Sequence, residues 1–503
     1  MKKKILYNVS ASLILEIVSV VCALILPRMI ISGFGSEYNG IVSSVTQFLS
    51  VITLLRGGVG GVTRAALYRP LIENDSEKIS AIVNATEHFM RRIAYIFVVF
   101  LLVFAAGYPL LVAKEFDWLY SFTLVLILGI STIAQYYFGI TYQFLLSADQ
   151  RSYVYSILQT VATILNTVLS VILINAGVEF RLMKLISALV FAAIPIALYW
   201  YVHKNYVILK TVPRDDSCLK QRWDAFVHQV AAFIHSNTDL MLLTIFSDLY
   251  QVSVYSIYNM VVTGVRKFVT VFTSGMEGTI GKMIASGEKK ELNIFLEMYE
   301  WAMNVISVVA FACTAVLIAP FMKVYTVNVT DAEYIQPVLG IWLVAAAFFS
   351  CIRLPYQNVV ESAGHFKQTR NGAIIEAMIN LGLSLVLIGT FGAVGVAVGT
   401  TFAMAFRTIQ YAIYSSKYIL KRSMFAFLKR AIITGINVMT IIVPFYLLKT
   451  DSLLLENTTN YFLWVIEALV IFAAILLITL IINALAYRKV FFRAVRFAMH
   501  RKI

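Results

Sequence analysis

Residues 2–31 read KKKILYNVSASLILEIVSVVCALILPRMII. Three lysines precede an apolar run broken only by short polar residues, Glu16 and Pro27, and followed by Arg28. The run exceeds the roughly 20 residues that a helix needs to cross the hydrocarbon core of a bilayer. No small-residue cleavage site bounds it before Pro27, so it reads as an uncleaved first membrane helix and not as a signal peptide. Basic residues at its start place that end in the cytoplasm.

Working outward, thirteen further apolar segments follow: residues 41–55, 93–112, 118–146, 153–175, 182–202, 230–246, 252–272, 302–321, 337–360, 373–390, 394–414, 432–448 and 461–486. With fourteen crossings both ends lie inside. Ends and loops assigned to the inside then hold 30 Lys and Arg, and outside loops hold 5, namely Lys114, Arg181, Lys184, Lys323 and Lys449. That asymmetry satisfies the positive-inside rule. The expected class is an all-α polytopic membrane protein with 14 transmembrane helices.

Composition supports the same class. Hydrophobic residues make up 60% of the chain and charged residues 14%, which excludes a soluble globular protein. The net charge of +14 invites a nucleic-acid reading. The excess sits in short cytoplasmic loops, where it orients helices and meets anionic lipid headgroups, so no nucleic-acid partner is expected. The tail, residues 487–503, alternates basic and apolar residues and is expected along the inner membrane surface. Cys22, Cys313 and Cys351 fall in membrane segments and Cys218 in a cytoplasmic loop, a distribution that gives no disulfide framework.

The chain repeats loosely at an offset of roughly 210 residues. Ser36-Glu37-Tyr38-Asn39-Gly40-Ile41 enters the second helix, and Ser247-Asp248-Leu249-Tyr250-Gln251-Val252 enters the eighth. An Arg follows within each, Arg56 and Arg266. Parallel repeats of six helices, packed as two bundles around a central cavity, are the architecture this suggests. The expected division is an N-lobe at 1–205, a linker at 206–229, a C-lobe at 230–416, a final helix pair within 417–486 and the basic tail.

Ionisable side chains at membrane depth are costly, so each is a functional candidate. Arg28, Arg56, Arg266, Arg353 and Arg407 are the cations best placed to line a path. Arg offers planar forks of donors to phosphate oxygens, so this set points to an anionic substrate. The competing use is structural: Arg28 or Arg407 can snorkel to an interface. His235 and Asp239, spaced i, i+4, together with Asn237 and Glu361, are candidates for a proton or Na+ coupling site, or for a network that locks helices together. The six His residues show no metal-ligand spacing, and no nucleophile or nucleotide loop stands out, so neither an enzyme nor a resident cofactor is expected. The run Arg56-Gly57-Gly58-Val59-Gly60-Gly61 lacks a Gly-Lys-Ser/Thr ending and reads as close helix packing or a hinge.

Leu54-Leu55-Arg56-Gly57-Gly58-Val59-Gly60-Gly61, then Ala65-Ala66-Leu67-Tyr68-Arg69-Pro70-Leu71, resembles the second-helix exit of bacterial polysaccharide-biosynthesis flippases. So do Phe34-Gly35-Ser36-Glu37-Tyr38-Asn39-Gly40 and Ser236-Asn237-Thr238-Asp239. That family belongs to the multidrug/oligosaccharidyl-lipid/polysaccharide exporter superfamily. The resemblance implies alternating-access transfer of undecaprenyl-pyrophosphate-linked oligosaccharide from the inner to the outer leaflet, for capsule, exopolysaccharide or cell-wall glycan, with glycan polymerase machinery as a partner. It also implies cavity arginines on the first, second and eighth helices, where Arg28, Arg56 and Arg266 stand, and a lipid-tail groove on the last two helices. Glu467 in the last helix departs from such a groove. The alternatives are a multidrug/cation antiporter of the same superfamily and a peptidoglycan lipid-precursor flippase.

Overall fold

A computed structural model describes residues 2–491 apart from 57, 216–232, 234–236, 274–275, 288, 448–455 and 457. The described residues form helices and turns without a strand. Eleven helical stretches are long and apolar enough to span a bilayer, so the chain is a multi-pass membrane protein. Three features separate that number from the expected fourteen. The segments at 373–390 and 394–414 are two helices joined directly through a tight turn at Gly392, and so form one continuous helical stretch. The described part of the 230–246 segment is a helix of only ten residues, Asn237–Phe246. The helix Leu249–Val271 carries Arg266 and Lys267 and is less apolar than the others.

Contacts divide the chain into two units, Met1–Ser253 and Val254–Ile503. The first contains α1 (Lys2–Phe34), α2 (Ser36–Leu49), α3 (Ile52–Arg56), α4 (Val59–Glu73), α5 (Ser76–Gly107), α6 (Trp118–Ala134), α7 (Ile140–Ala148), α8 (Ser152–Asn175), α9 (Phe180–Asn205) and α10 (Asn237–Phe246). Its core joins Ile41 and Val45 of α2, Phe97 and Leu101 of α5, Leu124 of α6 and Ile140 of α7. α1 is largely uncovered by protein, with 6% of its most apolar window buried, as a lipid-facing helix should be.

The second apolar segment is not one helix. It breaks after Leu49 and again at Gly58, whose φ of 70° suits glycine, so the expected glycine break is present. The helix that starts after Asp75 is continuous with the third crossing as α5. Asp75 caps it, accepting from the Lys78 amide at 3.0 Å and lying 2.9 Å from Lys78 Nζ. Those two contacts, the amide first, hold the exposed Asp75 carboxyl below its ordinary value. The cap therefore acts above the ordinary aspartate range and is lost as pH falls through the lowered value. Asp75→Ala is expected to lower the melting temperature slightly at pH 7, with the gap to the parent protein closing in acid.

The two repeat motifs meet within the first unit. Tyr250 Oη donates to Glu37 Oε2 at 2.5 Å, and Asn39 Nδ2 donates to Ser253 Oγ at 2.9 Å. A Cβ on Gly40 would lie 2.0 Å from the Leu249 carbonyl oxygen. The approach is backbone to side chain position and cannot be relieved by a rotamer change. Gly40→Val should therefore separate α2 from the start of the eighth segment, read as a fall in monodisperse protein and in melting temperature.

The second unit contains the remainder of α11 (Leu249–Val271), then α12 (Met276–Ala285), α13 (Lys289–Tyr325), α14 (Pro337–Ile352), α15 (Leu354–Ser362), α16 (Phe366–Tyr414), α17 (Phe425–Leu447) and α18 (Tyr461–Ala486). α13 is its centre, with 78% of its most apolar window buried. Val309, Ala312 and Val316 of α13 pack with Ile441 of α17 and Ile475 of α18, so the final helix pair is seated on this axis. Glu467, the departure from an apolar groove, accepts from Thr458 Oγ1 at 2.5 Å. Gly392 turns α16 back on itself with φ 52° and ψ −130°, a conformation that a side chain strains. Its two halves then run so close that Cβ atoms on Gly395 and Gly399 would meet the Leu387 carbonyl oxygen and Ser384 Oγ.

Candidate functional site: arginines around Glu376

The α16 hairpin brings three ionisable side chains of the second unit together. Glu376, 8% exposed, lies on the first half, and Arg407, 5% exposed, on the second. Arg353 stands between α14 and α15. One carboxylate bridges two guanidiniums: Arg353 Nη1 to Glu376 Oε1 at 3.0 Å, and Arg407 Nε to Glu376 Oε2 at 3.3 Å. The sequence showed Glu376 as one of several buried charges and gave no sign that it joins the two arginines. They are 54 residues apart in the chain, and the turn at Gly392 is what brings their region together.

The two arginines differ in what they have left to offer. Arg407 Nη1 also donates to the Thr369 carbonyl at 3.0 Å and to Gln410 Oε1 at 2.9 Å, and Nη2 donates to Tyr411 Oη at 2.9 Å. Its guanidinium lies 4.2 Å from the Tyr411 ring centre. Gly372 makes the room, since a Cβ there would sit 2.3 Å from Arg407 Nη1. So Arg407 is a brace between the halves of α16, with most of its donors engaged. Arg353 has fewer protein contacts, and its Nε is a buried donor without an acceptor among the described residues. Arg266 of α11 lies within electrostatic reach of Arg353 and Cys351 and makes no ion pair among the described residues. Three cations and one anion thus share this region of the second unit. An unfilled guanidinium donor beside a second, unpaired guanidinium is an arrangement that an oxyanion can complete.

The other expected residues lie elsewhere. Arg28 is half-buried on α1 and Arg56 ends α3, within electrostatic reach of Tyr136 and Tyr155. His235 lies outside the described residues. Asn237 is tied into the first unit: it accepts from Ser50 Oγ at 2.9 Å and from Gln47 Nε2, and donates to the Phe233 carbonyl at 2.9 Å. Those bonds tie α10 to the end of α2 within the first unit. Asp239 is half-buried on the same helix. Glu361 accepts from Gln357 Nε2 at 2.7 Å, one turn back on α15, and so does not pair with Arg353.

Three buried charges escaped the sequence reading, Lys184, Glu300 and Arg430. Lys184, counted there in an outside loop, belongs to α9 and is 6% exposed, with Nζ 5.2 Å from the Phe180 ring centre. Glu300 of α13, 1% exposed, is clamped between Arg422 and Arg430. Its partners stand over 120 residues away, beyond the reach of any spacing argument.

No protein-family model and no curated protein sequence matches the chain. Solved structures do. "Lipid II flippase MurJ, inward closed conformation" superposes with a TM-score of 0.70 at 15% identity, covering 96% of this chain and 99% of that one. An inward-facing multidrug resistance MATE family transporter of the MOP superfamily gives 0.61 at 15% identity, covering 80% and 95%. The Vibrio cholerae MATE transporter VcmN in the bent form gives 0.55 at 13% identity, covering 84% and 98%. At these identities the likeness is one of architecture, and the chain shares the fold of these solved membrane transport proteins.

Proposed function

We propose that the chain is a flippase that carries undecaprenyl-pyrophosphate-linked oligosaccharide units from the inner to the outer leaflet of a bacterial plasma membrane by alternating access, with both ends in the cytoplasm. The observation that carries this reading is the cationic group of the second unit, in which Arg353 Nε and the Arg266 guanidinium lack acceptors among the described residues beside a clamped Glu376. A pyrophosphate supplies the missing acceptors and charge. The second support is extent. The flippase match spans 96% of the chain, while the two transporter matches leave 16–20% of it unmatched.

An antiporter for cationic drugs would need a carboxylate open to its substrate, and Glu376 is held by two guanidiniums. Coupling to H+ or Na+ belongs to the proposal as an accessory, without a site assigned to it. The test is leaflet-resolved measurement of lipid-linked glycans in cells depleted of the protein. Accumulation of pyrophosphate-linked oligosaccharide on the cytoplasmic leaflet supports the reading. Unchanged lipid-linked glycans, with new sensitivity to cationic drugs, overturn it in favour of the antiporter.

A further inference from the structure

The first unit holds a cavity of about 180 Å³ that none of the arginines lines. One wall comes from the turn Gln135–Gly139, where α6 passes into α7 through a widened, π-helical turn, a feature that recurs at functional sites. Gln135, Gly139 and Gln143 stand four residues apart and present one face. Tyr155 and Gln159, one turn apart on α8, form a second wall, and Phe191 and Pro195 of α9 supply an apolar floor. Gly139 lets that floor close in, since a Cβ there would lie 2.5 Å from Pro195 Cβ.

Three carboxamides and a phenol on membrane-spanning helices are costly unless something uses them. Tyr155 and Gln143 stand within interaction range of each other. The Gln135 and Gln159 amides make no hydrogen bond among the described residues, although both are half-buried. A desolvated cation needs anionic or clustered oxygen ligands, and no carboxylate lines this space. The lining is neutral, rich in groups that both donate and accept, and apolar on one side. That pattern complements a pyranose ring, which carries hydroxyls on its rim and C–H bonds on its face. The volume equals about six waters of liquid, the size class of one sugar residue. Arg56, within electrostatic reach of Tyr155, supplies a nearby positive charge for a phosphate.

We propose that this cavity binds one neutral sugar ring of the lipid-linked glycan, so that the first unit reads the carbohydrate. The inference rests on the flippase reading and deepens it. The test is binding to the purified full chain in nanodiscs, with three probes: undecaprenyl pyrophosphate, and the same lipid bearing one hexose or one N-acetylhexosamine. The parent protein is expected to prefer at least one sugar-bearing lipid by about tenfold, the worth of two ordinary hydrogen bonds. Gln159→Leu and the double variant Gln135→Leu/Gln159→Leu should erase that preference and leave binding of the bare lipid unchanged, which also shows that they fold. Equal binding of all three probes by the parent overturns the sugar site and leaves the flippase reading standing, as does a preference that survives in both variants. Binding of no probe overturns the flippase reading itself.

Discussion

Replacing Glu376 by Gln is expected to destabilise the protein strongly. The substitution preserves shape but removes the carboxylate that bridges Arg353 and Arg407. Arg407 stays buried and Arg353 half-buried, and the two guanidiniums then repel each other beside Arg266. Breaking a buried pair by deleting one partner costs roughly 3–5 kcal/mol, because the remaining charge has lost its compensation. The readout is the melting temperature in detergent, which should fall by several degrees, together with the yield of monodisperse protein. A double variant sharpens the argument. Glu376→Leu combined with Arg407→Met removes one charge of each sign and should recover part of what Glu376→Leu alone loses, a coupling that appears only if the two groups act as a unit. If Glu376→Gln melts with the parent protein, the brace assigned to Arg407 is wrong.

What was legible in the sequence follows from how local each cause is. Hydropathy fixes a helix wherever some 20 apolar residues stand together, so α8 and α18 match their expected segments closely. A boundary failed where the backbone interrupts a run that hydropathy sees as continuous, as after Leu49, whereas the break expected between residues 390 and 394 is present at Gly392. The arginines were recognisable one by one, because each charge at membrane depth stands out against its neighbours. Their differences were not, since Arg407 is saturated by Thr369, Gln410 and Tyr411 while Arg353 keeps an orphan donor, and only the hairpin geometry shows it. The glutamines of the first unit carried a faint local signal, Gln135 and Gln143 eight residues apart, about two helical turns, in apolar surroundings. The facing residues on α8 and α9 that turn that stripe into a cavity carry none.

Arg266→Ala is expected to show the opposite signature to Glu376→Gln, lost transport with retained stability. Arg266 has no ion pair among the described residues, so its removal leaves no carboxylate uncompensated and relieves repulsion with Arg353. A residue that costs the fold something and gives it nothing back is kept for what it binds. Truncating one partner of a desolvated charge pair costs roughly 2–5 kcal/mol, which in the rate of glycan transfer is a loss of at least about thirtyfold. Arg266→Lys keeps the charge but not the planar fork, and should fall between the two. Arg56→Ala makes the same test in the first unit, where no ion pair holds that side chain among the described residues. Membrane content and melting temperature should stay at the parent level in both alanine variants while pyrophosphate-linked glycan accumulates on the inner leaflet. Normal transfer by both would remove the arginines from the substrate path, and the acceptor-free donors around Glu376 would then have to be explained by packing alone.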